Sequence, residues 1–316
     1  MLNPSIWFMN ILSMAILYQV IIGYITKYEI LKIIQILKWT ITVTLLVCVL
    51  QNFNLGQFFE LIWRDSNVEN FSIIFNNPVV GFIGQPTHLA GFLAMCAPLF
   101  LYKSKRIDLL CLVLMLVILS FLTGSTRNNI AISGIVVFLF STFFYIFKTN
   151  KKLLFPFSMI LLLFIICFYF IADPSTITTL FNDQGRYSVW GYYLSKIQES
   201  SWIGHSLGDI YYTFQNSPFP RAMHIHNEFI QITYELGIIG LLGFLFIIDH
   251  LMRVKDTPEI ILFKSIIVGF LTSCLFTYPI HLWLPASYAV FFYSSIYALE
   301  NERVCNESIN QRRNIG

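Results

Sequence analysis

Charged side chains are scarce in this chain. Asp, Glu, Lys and Arg together make up 12% of its 316 residues, whereas ordinary soluble domains carry roughly 25%. Hydrophobic residues account for 56% and aromatic residues for 17%. A soluble protein of this size covers its core with charge, and too little charge is present here to do so. The composition therefore excludes an ordinary soluble protein and predicts that most of the apolar surface faces lipid.

Cysteine and histidine are also too few, and too dispersed, to indicate disulfides or a metal site. Cys305 lies near the C-terminus, and none of the six cysteines falls in a polar loop on the outer side. His224 and His226 could form half of a metal site, but no third ligand is indicated. The other five cysteines lie in apolar stretches, where small core residues are expected: Cys48, Cys96, Cys111, Cys167 and Cys274.

Nine apolar stretches are long enough to cross a bilayer as helices. A hydrocarbon core of about 30 Å needs about 20 apolar residues in a helix, and the backbone groups within lipid must be hydrogen-bonded inside the segment. The fold class predicted is all-α, a polytopic integral membrane protein forming a single membrane domain over residues 1–316. The predicted spans are 5–26, 33–51, 79–102, 107–124, 129–147, 153–172, 229–252, 260–278 and 284–300.

Lysine and arginine set the orientation, because cytoplasmic loops carry more of them. With the N-terminus outside, 13 of the 20 fall in inner loops and five in outer loops. The remaining two, Lys38 and Lys264, lie within spans near their cytoplasmic ends. We therefore expect an outer N-terminus and a cytoplasmic C-terminus. The net charge of +3 reflects this asymmetry and gives no reason to expect nucleic-acid binding.

One loop on the outer side, residues 173–228, is much longer than the others. Such loops are usually functional or disordered, and the many aromatic residues in this one argue against disorder. We expect it to fold as a cap over the outer mouth of the helices. A short helix lying on the membrane is predicted over residues 185–200, with an apolar face formed by Tyr187, Trp190, Leu194 and Ile197.

The most specific string in the chain is His226-Asn227, nine further residues, and then Gly237-Ile238-Ile239-Gly240. It leads directly into the predicted span 229–252. On a continuous helix, His226, Gly237 and Gly240 fall close to one face. This predicts an imidazole at the outer mouth, with small residues below it where a neighbouring helix can approach closely.

Together with three other segments, this string resembles the O-antigen ligase and polysaccharide polymerase superfamily of bacterial inner-membrane enzymes. The resemblance covers about residues 79–252, and its four segments occur in the family's order. The other three are Gly185-Arg186 with Trp190 and Gly204, Ser125-Thr126-Arg127, and Gly84-Gln85-Pro86-Thr87-His88-Leu89-Ala90. The chain departs from the family pattern at Thr87, where Asn is common, and at Thr126, which separates Ser125 from Arg127.

The resemblance implies a glycosyltransferase that moves a glycan from undecaprenyl diphosphate onto an acceptor hydroxyl at the periplasmic face. It implies His226 as the general base, and an ordinary histidine pKa suits that role. Arg186 and Arg127 are implied as catalytic residues on the diphosphate, since a guanidinium stays charged and binds phosphate oxygens with two donors. Arginines can replace a divalent cation there, so no metal or other cofactor is expected. The candidate substrate-binding residues are Arg221, Asn227, Gln85, His88 and Glu235.

Each candidate also has a structural interpretation. Arg127 could anchor a helix end at the headgroups, and Arg186 could pair with Asp183 on the surface. His226 could be a polar residue at a helix start, and Asn227 could either orient the histidine or cap the helix. Glu235 lies inside a predicted span, where a carboxylate is costly unless it faces a wet cavity or is protonated.

Several functions would use the same residues. A ligase would transfer the glycan to lipid A core, a polymerase to a second lipid-linked glycan, and a protein O-oligosaccharyltransferase to a Ser or Thr side chain. The His-Asn signature favours the ligase. A lipid-linked glycan transporter is the alternative from another class, but transporters usually show internal repeats and charges at the midplane. The expected partners are therefore the lipid-linked donor, the acceptor and membrane lipids.

Overall fold

The structure is a computed structural model, and it describes residues 4–52, 86–125, 130–153, 186–213, 216–218, 225–275 and 283–315. Within these ranges every regular element is a helix, so the all-α prediction is confirmed there. The α-helices are α1 Pro4–Tyr24, α2 Lys27–Asn52, α3 Pro86–Cys96, α4 Pro98–Leu101, α5 Arg106–Ser125, α6 Ile130–Thr149, α7 Arg186–Ile197, α8 Ile210–Thr213, α9 Glu228–Arg253, α10 Pro258–Ser273 and α11 Trp283–Ile315. Two 3-10 turns, Lys151–Leu153 and Gln198–Ser200, complete the list.

Helices lie in eight of the nine predicted spans, and the ninth, 153–172, falls outside the described residues. Two described helices are long and apolar enough to cross a membrane by themselves, Lys27–Leu50 and Glu228–Arg253. Three others are apolar but shorter, Leu12–Tyr24, Leu89–Leu101 and Gly134–Thr149. The described helices are thus compatible with a membrane protein, while the number of spans remains a prediction.

Short polar motifs fix where helices begin. Thr26 and Glu29 form a reciprocal capping box at the start of α2. The Thr26 amide donates to Glu29 Oε2 at 2.7 Å, and the Glu29 amide donates to Thr26 Oγ1 at 3.4 Å. Thr257 caps α10 in the same way, accepting from the Ile260 amide at 3.3 Å. These caps therefore fix the residues at which α2 and α10 begin.

The chain divides into two compact units. The first comprises Met1–Lys32, Gly185–Ile267 and Cys274–Gly316. In it, α1 packs on α11 and α7 packs on α9. A row of rings also joins its helices, with centroid distances of 5.9 Å, 5.1 Å and 5.9 Å along Tyr18, Tyr293, Tyr297 and His250. His250 is therefore part of the helix packing.

The second unit comprises Ile33–Gln184 and Val268–Ser273. Here α3 and α5 both pack on α6. The contact between α3 and α6 is close because Gly134 faces Ala90, and Ser141 Oγ donates to the Ala94 carbonyl at 3.1 Å. Small residues and a hydroxyl at a helix contact are typical of helix pairs within membranes.

Lys38 and Lys264, predicted near cytoplasmic helix ends, are both buried at the C-terminus of another helix. Lys38 Nζ donates to the Tyr102 carbonyl at 3.0 Å and to Asp108 Oδ2 at 3.2 Å. Lys264 Nζ donates to the Met252 and Val254 carbonyls and, at 2.7 Å, to Asp256. A helix C-terminus leaves carbonyls unpaired and carries partial negative charge, so each ammonium stabilises a helix end.

Replacing Lys264 by Met should destabilise the protein. The change keeps the stem but removes the ammonium from two carbonyls and from the partly exposed Asp256, and leaving such acceptors unpaired costs about 1–3 kcal/mol. We expect a lower midpoint of thermal unfolding in detergent. Lys255→Met is the matched control, because Lys255 is exposed and its nearest carboxylate oxygen is 3.8 Å away. Equal midpoints for both variants would show that Lys264 does not stabilise the end of α9.

Candidate functional site

His226 stands two residues before α9, at a sharp bend of the backbone. Its φ of 56° lies in the left-handed region that residues other than glycine rarely adopt. Asn227 follows in an extended conformation and is the N-cap of α9, with Oδ1 accepting from the Ile230 amide at 3.1 Å. Of the two structural alternatives for Asn227, the structure shows the helix cap. Backbone strain beside a helix start is frequently found at functional sites.

Contacts from Cys274 and Leu275 hold this helix start in place. The Glu228 amide donates to the Cys274 carbonyl at 2.8 Å, and Asn227 Nδ2 donates to the Leu275 carbonyl at 3.3 Å. The Asn227 side chain therefore makes two hydrogen bonds, one from Oδ1 within α9 and one from Nδ2 to Leu275. This fixes the backbone on the C-terminal side of His226.

Trp190 fixes the backbone on the other side of His226. Its indole Nε1 donates to the carbonyl of the fully buried Ile225 at 2.8 Å. Arg186, partly buried, lies one turn earlier, at the first residue of α7. Residues four apart lie on the same side of a helix. The structure thus brings the segment of Arg186 and Trp190 against the residue that precedes His226.

A buried apolar cluster holds α7 and α8 on the first turns of α9. The cluster consists of Val189, Tyr193, Ile210, Ile225 and Tyr234. Trp190 and Ile197 pack against it as predicted, but Tyr187 and Leu194 are 66% and 50% exposed. The predicted apolar face of α7 is therefore only half correct, because α7 turns a second apolar edge towards α9. Burial raises the pKa of Tyr193 to about 12, with Tyr192 and Asp209 adding to the effect, so Tyr193 stays neutral.

Tyr234 also ties α8 to α9 through a closed polar network. Its hydroxyl donates to Asp209 Oδ2 at 2.6 Å, and Thr213 Oγ1 donates to the same oxygen at 2.8 Å. The His205 ring stacks on the Tyr234 ring with centroids 4.6 Å apart. The network joins residues 205–213 to α9, and no sequence spacing relates these two segments.

The helix α9 is interrupted at Gly237, where φ is 69° and ψ is −171°. In an uninterrupted helix, the carbonyls of Tyr234 and Glu235 would accept from the amides of Ile238 and Ile239. Instead, these carbonyls accept from the His205 and Ser206 amides, each at 3.0 Å. The Ile238 and Ile239 amides donate to the carbonyls of Ser201 and Trp202 at 2.8 Å and 3.3 Å. Residues 201–206, which we call the inserted turn, therefore replace two rungs of the helix.

Glycine is required on both sides of this junction. Gly204 and Gly237 both have positive φ, 73° and 69°. A Cβ on Gly204 would collide with the Glu235 carbonyl, and a Cβ on Gly237 would collide with the Trp202 carbonyl. The expectation that Gly237 receives a neighbouring helix on a continuous helical face is wrong. The helix breaks there because the positive φ of Gly237 opens space for the inserted turn.

The remaining candidates are less well defined. Arg127, Arg221 and Gln85 lie outside the described residues, and His88 lies in α3 of the second unit with its side chain undescribed. Glu235 is buried on one face of α9 with Glu228 and Gln231, and Gln231 Nε2 donates to Glu235 Oε1 at 3.5 Å. Among the described residues, no group of three His, Cys, Asp or Glu side chains could hold a metal ion.

In the described residues the protein is helical, and a turn is inserted into an apolar helix of membrane-spanning length, eleven residues after His226. Residues 110–245 match the family model described as O-antigen ligase. The resemblance to the O-antigen ligase and polymerase superfamily is thereby confirmed over this region. A search of curated proteins finds no match to the chain.

The matched region contains three of the four segments that carry the resemblance. It includes the segments of Arg127, Arg186 and His226 and begins after the segment 84–90. It also contains Gly204 and Gly237, the two glycines that meet at the inserted turn. The geometry explains why residues 204 and 237 are glycine, since at each of them the backbone of the inserted turn contacts the backbone of α9.

Gly237→Ala should loosen the outer loop. Alanine in the left-handed conformation costs roughly 1–2 kcal/mol, and its Cβ would also collide with the Trp202 carbonyl. Since about 1.4 kcal/mol changes an equilibrium tenfold, we expect proteolysis of the 201–206 turn to be at least about tenfold faster. Gly243→Ala, on the same helix, is the control, because a Cβ at that position meets nothing within 4 Å. Equal cleavage rates in the two variants would contradict the proposed role of the Gly237 break.

Proposed function

We propose that the protein is an O-antigen ligase-type glycosyltransferase of the bacterial inner membrane. It would transfer a glycan from undecaprenyl diphosphate to a hydroxyl of lipid A core at the periplasmic face. The observation that carries this proposal is the bond from Trp190 to the Ile225 carbonyl. It places the segment of the candidate arginine directly against the segment of the candidate base.

His226 is the proposed general base. A neutral imidazole nitrogen takes the proton of the acceptor hydroxyl while the hydroxyl oxygen attacks the anomeric carbon of the donor. The bond between that carbon and the diphosphate oxygen breaks, and undecaprenyl diphosphate leaves with the bonding electrons. The proton stays on His226 until solvent removes it. The contacts of Ile225 and Asn227 support this role, since both neighbours of His226 are fixed.

Arginines are proposed to bind the diphosphate. The leaving group is strongly anionic, and a guanidinium binds its oxygens with two parallel hydrogen bonds. Arg186, at the first residue of α7 and one turn from Trp190, is held by the packing of α7 on α9. On the basis of the sequence, Arg127 and Arg221 are also proposed to bind the diphosphate. Because these residues can supply the positive charge, the proposed reaction needs no metal.

The remaining candidates are assigned to the substrate with less detail. Asn227 is a positioning residue, because its side chain fixes the start of α9. Gln85, His88 and Glu235 are proposed to contact the donor or the acceptor. The topology proposed is nine spans with a periplasmic N-terminus, a cytoplasmic C-terminus and residues 173–228 as a cap. The two apolar helices of membrane-spanning length support it.

Acceptors other than lipid A core are the main alternatives. A polysaccharide polymerase or a protein O-oligosaccharyltransferase would use the same base and the same arginines on a different hydroxyl. The family model that matches is described as O-antigen ligase, which favours the ligase. A transporter is less well supported. Broken helices in transporters offer free backbone groups to their substrates, whereas here the inserted turn uses the groups opened at Gly237.

Complementation tests the proposed enzyme. The wild type, His226→Ala and Arg186→Ala are expressed in a strain that lacks its own ligase or polymerase, and its surface polysaccharide is run on a gel. We expect a ladder with the wild type and no ladder with either variant. For His226→Ala the reason is that removing a general base typically costs about 100-fold to 10,000-fold in rate.

Two matched controls separate chemistry from folding. His250→Ala removes a histidine that stacks on Tyr297, and Arg253→Ala removes an exposed arginine that pairs with Asp249. Both should keep the ladder at equal membrane expression. A full ladder from His226→Ala or Arg186→Ala would remove that residue from the proposed site. The type of ladder, long chains on lipid A core or lengthened chains elsewhere, decides between ligase and polymerase.

A further inference from the structure

The inserted turn exposes apolar side chains, although its backbone is bonded to α9. Trp202 and Ile203 are 68% and 74% exposed, and Leu207, just after the turn, is 51% exposed. Two carbonyls of the turn, at Ser201 and Trp202, and two amides, at His205 and Ser206, are hydrogen-bonded to the break in α9. An aqueous turn usually shows the reverse pattern, with polar side chains outside.

The position of the break along α9 sets the depth of this turn. Below the break, residues 238–253 form a helix that extends about 24 Å at about 1.5 Å per residue, about 6 Å less than a hydrocarbon core of about 30 Å. The distribution of Lys and Arg predicts that Arg253 lies in a cytoplasmic loop. With Arg253 at the inner edge, the break at Gly237 lies about 6 Å inside the outer edge of the hydrocarbon.

The exposure of α9 agrees with this position. Its exposed large apolar side chains begin at Leu236 and continue through Ile239 and Leu242 towards the C-terminus. Above the break, the described face of α9 is covered by the cluster of α7 and α8. The bonds of the inserted turn to residues 234–239 therefore place Trp202 and Ile203 where the helix passes from protein cover to lipid.

We propose that the inserted turn and Leu207 form a lipid anchor that holds the outer loop to the outer leaflet of the membrane. Trp202 and Ile203 reach the upper acyl chains, because the Trp202 carbonyl is bonded to the Ile239 amide on the membrane side of the break, and Leu207 lies nearer the headgroups. The bonded backbone meets the main requirement for a non-helical segment at this depth, that its polar groups are satisfied. The inference rests on the proposed membrane span of α9, and glycosyl transfer is not needed for it.

Quenching of tryptophan by brominated phospholipids measures this placement. The full chain is reconstituted in phosphatidylcholine bilayers, and the difference in emission between the wild type and Trp202→Phe isolates Trp202. We expect bromines near the headgroup end of the acyl chains to remove most of the Trp202 signal, and an aqueous iodide quencher to have little effect. The substitution leaves the Trp202 carbonyl in place, so the bond to the Ile239 amide is kept.

Two further tryptophans make the outcome decisive. Trp39 is 67% exposed on α2, a helix of membrane-spanning length, and its difference signal reports whether the chain is in the bilayer. Trp190 is bonded to the Ile225 carbonyl within the protein, and its signal should resist both quenchers. If bromolipid quenches Trp39 but iodide quenches Trp202, the chain lies in the bilayer and only the proposed anchor is wrong. If bromolipid quenches neither, the proposed membrane placement itself fails.

A cysteine variant gives a second readout. Ile203→Cys should resist a charged, impermeant maleimide added from outside, because maleimides react with a thiolate, which hydrocarbon disfavours. Glu199→Cys, on the preceding 3-10 turn where the side chain is 58% exposed, should react with it. Labelling of Ile203→Cys by the impermeant reagent at the rate of Glu199→Cys would contradict the anchor.

Discussion

The opening of α9 at Gly237 is the constraint on which the rest of the site depends. It releases two carbonyls and two amides within an apolar helix, where an unsatisfied backbone group is costly. The inserted turn provides a partner for each of the four. Because those partners are backbone groups at fixed spacing, the turn can bind in only one register. That register sets where α7 and α8 lie, and therefore where Trp190 meets the residue before His226.

The family signature can be understood through this junction. Histidine and asparagine precede the helix by one turn or less, and the glycine eleven residues after the histidine lies at the break. The second glycine of the junction, Gly204, comes from the outer loop. The two meet because neither has a Cβ. The spacing between His226 and Gly237 thus fixes the distance along α9 between the candidate base and the point where the loop is attached.

Much of the fold could be predicted from the sequence, because long apolar runs leave few alternatives to a helix. The capping role of Asn227 and the helix at Arg186–Ile197 were also predictable from local patterns. The break in α9 was not, because glycine is common in membrane helices and its conformation is set by a turn some thirty residues earlier. For the same reason the network of Asp209, Thr213 and Tyr234 has no sequence signal. Asp209 and Thr213 are local neighbours, but Tyr234 meets them only when the junction forms.

The order of the two halves of the junction along the chain has a consequence for biosynthesis. Residues 201–206 emerge from the ribosome before residues 234–239, so the turn has no partner when it is first translocated. In the proposed topology, its register is decided only once α9 has been made and released into the bilayer. Assembly of the proposed site is then a late event in the maturation of this protein, and it is governed by the insertion of one helix.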